Sequence, residues 1–396
     1  MGLANICILS TMVLVMVSTT VSMYVGLEDE LEMNYAGDVV VNLRYSGVPD
    51  EETRNAAFEE VKNSIREAGR VITGTMSTAS ISTAVVREGN ELSILQDEEA
   101  QLSEMGMAAI LTKADYEALE DTTLQEFGQD EVVVAASPSY DEDSILFLGK
   151  EYRVTEETKL SDGDAAYGSL LPGGILYLVV SDYEEMEAVY GKIAAVYEQI
   201  PEAGSCYVSY DIAVDMDGTA EEKKECAGNI LERISGLEGS GAAVFSNIRG
   251  YGVKSKQAGY ESYLSLNGSF FFLGLFLGLM FLMVTVLIIY YKQISEGYED
   301  KERFAIMQKV GMSSKEVKAA IGSQVRTVFF LPFVMAAIHL AAAFPMLSRL
   351  LAMLSLYNKR LFALCLLATL LVFGVIYFIV FKVTSRIYYR IVGEQF

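Results

Sequence analysis

The stretch SYLSLNGSFFFLGLFLGLMFLMVTVLIIYY, residues 262–291, contains no acidic or basic side chain. A helix needs about 20 apolar residues to cross the hydrocarbon core of a bilayer, and this stretch is long enough. Residues 1–27, 327–348 and 361–381 are free of Asp, Glu, Lys and Arg in the same way. Because a helix satisfies its backbone hydrogen bonds internally, we predict four transmembrane helices over these ranges.

The third stretch has one alternative interpretation. It alone carries His339 together with Pro332 and Pro345. A buried helix of a soluble domain would also tolerate these residues, whereas in a membrane helix the prolines would cause kinks near its ends. The transmembrane interpretation is favoured because this stretch, like the other three, is long enough to cross the hydrocarbon core.

Charge is distributed very unevenly along the 396 residues. The chain holds 30 Lys and Arg against 53 Asp and Glu, which gives a net charge of −23. Residues 28–261 alone contain 17 of the basic and 47 of the acidic side chains, a net charge of −30. We therefore expect no nucleic-acid partner, since binding to phosphates needs a basic surface.

The basic residues between the charge-free stretches predict the orientation in the membrane. Residues 292–326 carry seven basic side chains and the tail 382–396 carries three, whereas residues 349–360 carry three. The positive-inside rule places the first two segments in the cytosol. Both termini are then cytosolic, the acidic segment 28–261 is extracellular, and 349–360 is a short outer loop of a cell-membrane protein.

The acidic segment alternates between strand-like and helix-like patterns. Apolar residues at helical spacing follow Asp50, Asp182 and the capping box Thr219–Glu222, and β-rich segments separate the first of these helices from the other two. We predict an extracellular α+β domain, with two subdomains as an option. The predicted strands are residues 39–43, 132–136, 145–148, 152–155, 174–180 and 207–214.

Few residues could support catalysis. The chain has one histidine, four cysteines that are not at CxxC spacing, and no evident nucleophile–base pair. We predict no catalytic, cofactor or metal site. Asp215–Met–Asp217–Gly218 resembles the start of a calcium loop, but the later ligands are missing and a turn explains it better. Cys206 and Cys226 are either bonded to each other or free thiols.

Residues 299–313, EDKERFAIMQKVGMS, are the most informative part of the chain. Apolar residues three and four positions apart predict a short helix with an apolar face, which Gly311 ends. Ser313 and Glu316 form a capping box that starts the next helix. Such a short helix could pass movement between a cytosolic partner and the membrane, or it could lie on lipid.

The segment from Glu302 to Ser313 resembles the coupling segment of FtsX-like ABC transporter permeases. The order of one helix, a large outer domain and three helices is similar to that family's core unit. Residues 2–12 and 290–297 further resemble the bacitracin-resistance (Bce-type) branch, whose permeases have ten membrane helices with the outer domain between the seventh and eighth. The first predicted helix has no basic flank. We therefore expect the chain to be the C-terminal part of a larger permease, or half of a split one.

The resemblance implies a permease subunit that is driven by a separate ATPase. In agreement, the chain contains no G-x-x-x-x-G-K-[ST] motif, so ATP would be bound by the partner subunit. Family members remove or release peptide antibiotics from lipid-linked cell-wall precursors and signal to a sensor histidine kinase. The residues that the resemblance assigns to ATPase coupling are Glu302, Arg303, Phe304, Ile306, Met307, Val310, Gly311 and Ser313.

A second function is compatible with the same resemblance. The chain could be a non-transporting FtsX-like regulator that relays ATP binding to an extracellular cell-wall enzyme or a sensor kinase.

Within the membrane, Gly274 and Gly278 form a GxxxG motif that allows close helix packing, inside this bundle or against another permease unit. His339 has no acidic partner in the other predicted spans, so a satisfied or interfacial histidine is a better interpretation than a proton carrier.

Overall fold

The computed structural model describes residues 2–95, 103–200, 206–245, 247–309, 313–354 and 356–393. The chain forms two compact units. The first, here called the membrane unit, comprises Met1–Leu27, Tyr263–Leu351 and Asn358–Phe396. The second, here called the outer unit after the orientation predicted from the sequence, comprises Glu28–Ser262 and Ala352–Tyr357.

Helices and strands are numbered here in chain order within the described residues. The helices are α1 (Gly2–Val25), α2 (Leu27–Asn34), α3 (Glu51–Glu67), α4 (Lys113–Glu120), α5 (Asp162–Gly168), α6 (Tyr183–Tyr197), α7 (Ala220–Gly236), α8 (Lys256–Lys309), α9 (Ser314–Ala352) and α10 (Lys359–Gly393). The strands are β1 (Val39–Tyr45), β2 (Ile72–Glu88), β3 (Glu91–Ile94), β4 (Met105–Thr112), β5 (Glu131–Ser137), β6 (Ser144–Phe147), β7 (Lys150–Thr158), β8 (Ile175–Val180), β9 (Val208–Met216) and β10 (Ile248–Ser255).

Four of the described helices are long and apolar enough to cross a membrane. Their apolar segments are Leu3–Val25, Lys256–Arg303, Phe329–Ala352 and Lys359–Tyr388. Each overlaps one of the charge-free stretches of the sequence. Together with the large sheet-containing unit, they fit a membrane protein with an α+β domain.

The second of these helices differs from the prediction. We expected a separate short helix after residue 291, but α8 is one continuous helix of 54 residues that runs to Lys309. The physical reason is that residues 292–309 contain no proline and a single glycine, Gly297, so nothing in this part of the sequence ends the helix.

The outer unit is built on one sheet of ten strands in the order β10-β1-β9-β2-β3-β6-β7-β5-β8-β4. Strand β2 also pairs with β4, because its 17 residues are long enough to pair with β9 first and with β4 and β3 further on. The pairings from β2 through β3, β6, β7, β5, β8 and β4 therefore close into a ring. The two-subdomain option is replaced by a single continuous sheet.

The core of the outer unit follows from the alternation of side chains along its strands. In β8, Leu176, Leu178 and Val180 face the main core, whereas Ile175 and Tyr177 face a second apolar cluster on the other side of the sheet. This strand is buried along its whole length, as expected for a central strand that is covered on both faces.

Side-chain caps fix where the packed helices begin. Asp50 accepts a hydrogen bond from the Thr53 backbone N–H, and Asp182 accepts one from the Glu185 backbone N–H. Thr219 and Glu222 form both halves of a capping box at the start of α7. These caps satisfy backbone donors that the first turn of a helix leaves without partners.

Candidate coupling site

The candidate site lies where α8 ends and α9 begins. Helix α8 extends to Lys309, and α9 starts at Ser314. Of the sequence-predicted residues, Val310 and Gly311 fall outside the described residues. Phe304 and Met307 lie in α8, and their side chains are outside the described ones.

Ile306 is the apolar side chain of this segment whose position is described. It is 61% exposed, and Glu302 and Arg303, four and three residues before it, are also exposed. Residues three and four apart are neighbours on a helix surface. The end of α8 therefore presents an apolar side chain beside one acidic and one basic group.

A neighbouring part of α8 packs against the last helix. The Tyr388 hydroxyl of α10 donates a 2.7 Å hydrogen bond to Asp300 Oδ2, and both side chains are buried. A side chain at Gly297 would lie 3.3 Å from Tyr388 Cδ2 and 3.6 Å from Ile391 Cγ2, so glycine allows the two helices to approach closely. The Arg303 guanidinium lies 3.6 Å from Asp300 Oδ1.

Sequence reasoning missed Asp300 and Tyr388. Asp300 stands in a run of charged residues that looks uniformly exposed, and Tyr388 belongs to a tyrosine pair typical of a membrane interface. The available signal is the helical spacing of Gly297 and Asp300, which places a small residue and an acid on one side of α8.

The start of α9 has the capping geometry that the sequence predicts. The Ser313 backbone N–H and hydroxyl donate to Glu316 Oε2 at 2.9 and 2.7 Å, and the Glu316 N–H lies 3.4 Å from Ser313 Oγ. These hydrogen bonds from Ser313 lower the pKa of the Glu316 carboxyl. The chain therefore restarts a helix five residues after Lys309, with its first backbone donors satisfied.

The two glycines of the GxxxG motif contact the first membrane helix. A methyl group at Gly274 would overlap the side chain of Thr20, and one at Gly278 would lie 2.6 Å from Val17 Cγ2. Helices α1 and α8 thus approach each other at the glycines, within this chain's own bundle.

His339 lies on an exposed part of α9, with Nδ1 3.7 Å from the Cys7 sulfur of α1. Pro332 and Pro345 are both inside the continuous helix α9. Near the first of them, the Tyr377 hydroxyl donates a 2.8 Å hydrogen bond to the Phe329 carbonyl. This bond joins α9 to α10 in a part of the helix where proline interrupts the backbone ladder.

The outer unit contains two free cysteines. Cys206 and Cys226 are not bonded, and burial raises the pKa of Cys206 to about 11 and also raises that of Cys226. Thiols with a raised pKa form little of the reactive thiolate.

The carboxylates that suggested a calcium loop have backbone partners. Asp215 accepts a hydrogen bond from the Asp38 N–H and Asp217 accepts one from the Val71 N–H. Gly218 has a φ of +111°, as a turn requires. Within the described residues, no group of three or more His, Cys, Asp or Glu side chains could hold a metal ion.

No protein-family model matches the chain. The chain is 31% identical over 85 residues, 22% of its length, to the ABC transporter permease protein YxdM of Bacillus subtilis. It is 30% identical over 126 residues, 31% of its length, to the uncharacterized ABC transporter permease YvcS of the same organism. The matched segments cover 14% and 18% of those relatives. These partial similarities support a permease role in general.

Proposed function

We propose that this chain is part of the permease of an ABC transporter and that a separate ATPase subunit binds at the junction of α8 and α9. In the same proposal, the transporter removes or releases peptide antibiotics from their lipid-linked targets and takes part in sensing them. The partners are then the ATPase, the peptide or its lipid-linked target, membrane lipid and a sensor histidine kinase.

The observation that carries the proposal is the exposed Ile306 between charged neighbours at the end of a continuous helix. An apolar side chain in this position loses contact with water when a partner covers it, and burial of apolar surface favours binding. Glu302 and Arg303 can form polar contacts at the rim of the same surface. The similarity to ABC transporter permeases supports an ATPase as the partner.

The hydrogen bond from Tyr388 to Asp300 holds the segment before Ile306 against α10. It ties the last turns of α8 to α10, so a force applied at Ile306 acts on two packed helices. On the other side of the short connection, the Ser313–Glu316 box fixes the start of α9. ATP-driven movement of a bound partner would therefore displace three membrane helices.

The acidic outer domain supports the choice of substrate class. Its net charge of −30 between residues 28 and 261 raises the local concentration of cations, which includes cationic peptides. The second function, a regulator of an extracellular cell-wall enzyme, requires the same ATPase contact but no peptide. The two functions differ in whether loss of the chain reduces survival in a peptide antibiotic or impairs cell separation.

The ATPase contact can be tested by co-purification of the full chain with ATPases encoded near it. Ile306→Asp should abolish retention of the ATPase, since a charge buried in an interface without a partner is strongly unfavourable. Ile306→Leu should retain it. Leu119→Asp is a matched control because it adds the same charge at an exposed apolar residue of the outer unit.

Retention of the ATPase by Ile306→Asp, or its equal loss from Leu119→Asp, would contradict the coupling site. The substrate class is tested separately by antibiotic survival of cells that carry the wild-type chain or Ile306→Asp. Unchanged survival together with a cell-separation defect would replace the transport function with the regulatory one.

A further inference from the structure

One strand of the outer unit has a free edge. In the described part of the chain, β10 pairs with β1 alone, whereas each of the other nine strands has at least two neighbouring strands. Apart from the ladder with β1, the structure gives no backbone hydrogen bond to residues 248–255. The far side of β10 is therefore a row of backbone donors and acceptors that another strand can pair with.

The side chains of β10 leave room for such a strand. A Cβ at Gly250 or Gly252 would meet nothing within 4 Å. In the register with β1, Gly250 lies opposite Arg44 and Gly252 lies opposite Asn42. An added strand could therefore lean its side chains over the two glycines towards β1.

The charge of this edge is opposite to that of the domain. Residues 239–260 contain Arg249, Lys254 and Lys256 and no acidic residue, although residues 28–261 hold 47 acids. Lys254 and Arg44 are both exposed, and the register places them on the same face as the two glycines. Asp211 of β9 lies on this face and already interacts with both cations. Carboxylates on an incoming strand that lean over Gly252 would approach the same two cations from the free edge.

The same charges disfavour a cationic occupant. A cationic peptide on this edge would place its charges near Arg44 and Lys254, and like charges close together on neighbouring strands are destabilising. The edge thus favours an acidic ligand, whereas the acidic remainder of the domain favours a cationic one.

We infer that the free edge of β10 binds an extended, acidic segment of a partner protein by β-strand addition. Backbone hydrogen bonds to β10 supply affinity, and carboxylates that face Arg44 and Lys254 supply selectivity. The inference goes beyond the proposed function and does not depend on the coupling site. Because β10 ends at Ser255 and α8 begins at Lys256, the bound segment would lie directly before the longest helix of the chain.

Three synthetic peptides test this inference on the full chain in phosphatidylcholine nanodiscs. The acidic probe is acetyl-Thr-Glu-Val-Glu-Val-Glu-Val-Thr, in which the carboxylates share one face of a strand. The basic probe replaces each Glu by Lys, and the proline probe replaces each Val by Pro, which removes backbone donors but keeps the charge. Salt at 0.15 M limits long-range repulsion from the acidic domain to about 8 Å.

Fluorescence anisotropy should give a dissociation constant for the acidic probe that is about ten-fold lower than that for either other probe. Lys254→Glu should weaken binding of the acidic probe about ten-fold, since it replaces an attraction by a repulsion. Lys192→Glu is the matched control because it makes the same charge change at an exposed lysine of α6. It should leave the dissociation constant unchanged.

Other outcomes would overturn the inference. Equal binding of the proline probe would indicate a purely electrostatic contact, and equal binding of the basic probe would remove the charge selectivity. An unchanged constant in Lys254→Glu would place the peptide elsewhere. Sedimentation that shows wild-type dimers, lost when Gly252→Pro blocks the edge, would make a second copy the occupant.

Discussion

The two units of this molecule differ in the side chains that they expose. In the outer unit, the most buried positions are apolar, and Ile212 and Val214 of β9 are completely inaccessible. In the membrane unit, Leu14 and Ser10 of α1 are equally inaccessible, but apolar side chains also lie on the surface, and Leu371 of α10 is 69% exposed. The outer unit buries its apolar side chains away from water, whereas the membrane unit also presents apolar side chains to lipid.

This difference implies different sources of stability. Removal of apolar surface from water stabilises the outer unit. Helices in lipid gain little from that effect, so close packing at small residues and hydrogen bonds between helices contribute more. Gly274 against Thr20 and the Tyr388–Asp300 hydrogen bond are examples of the second kind.

The largest expected effect follows directly from this comparison. Ile212→Ala should lower the free energy of unfolding of the outer unit by about 2–5 kcal/mol, because it removes buried methyl groups and leaves a cavity. Leu371→Ala also shortens an aliphatic side chain, but at a lipid-facing position, so it should change stability little. Urea unfolding of the full chain in detergent, followed by tyrosine circular dichroism, measures both.

Similar destabilisation by the two substitutions would contradict the contrast between the units. It would mean that Leu371 is covered by a protein surface rather than by lipid. A second exposed residue of α10, Val375, provides the control, since it should behave as Leu371 does if lipid covers that side of the helix.

The next effect concerns packing at glycine. Gly274→Ala should destabilise the contact between α1 and α8 by about 1–3 kcal/mol, because the added methyl overlaps Thr20. Gly268→Ala lies in the same helix, and its methyl would meet nothing within 4 Å. It should be neutral or stabilising by up to about 1 kcal/mol, since alanine favours the helix.

Steric-trap or detergent titration of helix dissociation would measure these two changes. Opposite signs would support glycine packing as a source of stability in the membrane unit. If both alanine variants stabilise the bundle, the contact at Gly274 is not close. The double variant Gly274→Ala with Thr20→Ala should recover part of the loss, because it removes the overlapping side-chain atoms.

The sequence predicted the four apolar helices and several outer strands because their signals are local. Runs such as residues 174–180 are continuous and apolar, and charge-free stretches are easily delimited. The strand Ile72–Glu88 was missed because its sequence, ITGTMSTASISTAVVRE, is rich in Ser, Thr and Ala and lacks a strong apolar alternation. Its role in closing the ring depends on pairing with distant strands, which no local pattern records.

The candidate coupling segment, residues 299–316, could also be predicted only in part from local patterns. The sequence alone indicates the charged residues, Ile306 and the capping box, because caps and helical spacing act within one or two turns. Helix α8 is continuous because residues 292–309 contain no proline and a single glycine. The apolar face after residue 299 instead suggested a separate short helix. The contact of Asp300 with Tyr388 joins residues 88 positions apart, so it requires the packing of two helices to be known.

The smallest expected effect uses a feature that the two regions share. Thr219–Glu222 in the outer unit and Ser313–Glu316 at the start of α9 are capping boxes of the same kind. Thr219→Ala and Ser313→Ala should each lower local helix stability by about 1 kcal/mol, whereas Thr219→Ser and Ser313→Thr should retain it. Hydrogen exchange of the first turns of α7 and α9 measures the loss.

Acid should reproduce this loss without a substitution. Hydrogen bonds from Thr219 and from Ser313 lower the pKa of Glu222 and of Glu316, respectively, in the folded chain. A carboxyl with a lowered folded pKa stabilises the fold above its unfolded pKa, and that contribution is lost as pH falls through the folded value.

Protection of both first turns, corrected for intrinsic exchange, should therefore decrease below pH 4.5, the ordinary pKa of glutamate. The alanine variants should depend less on pH in this window, because their glutamates have lost the bonds from the cap hydroxyl. An equal pH dependence in wild type and variants would show that the glutamates do not act through their caps.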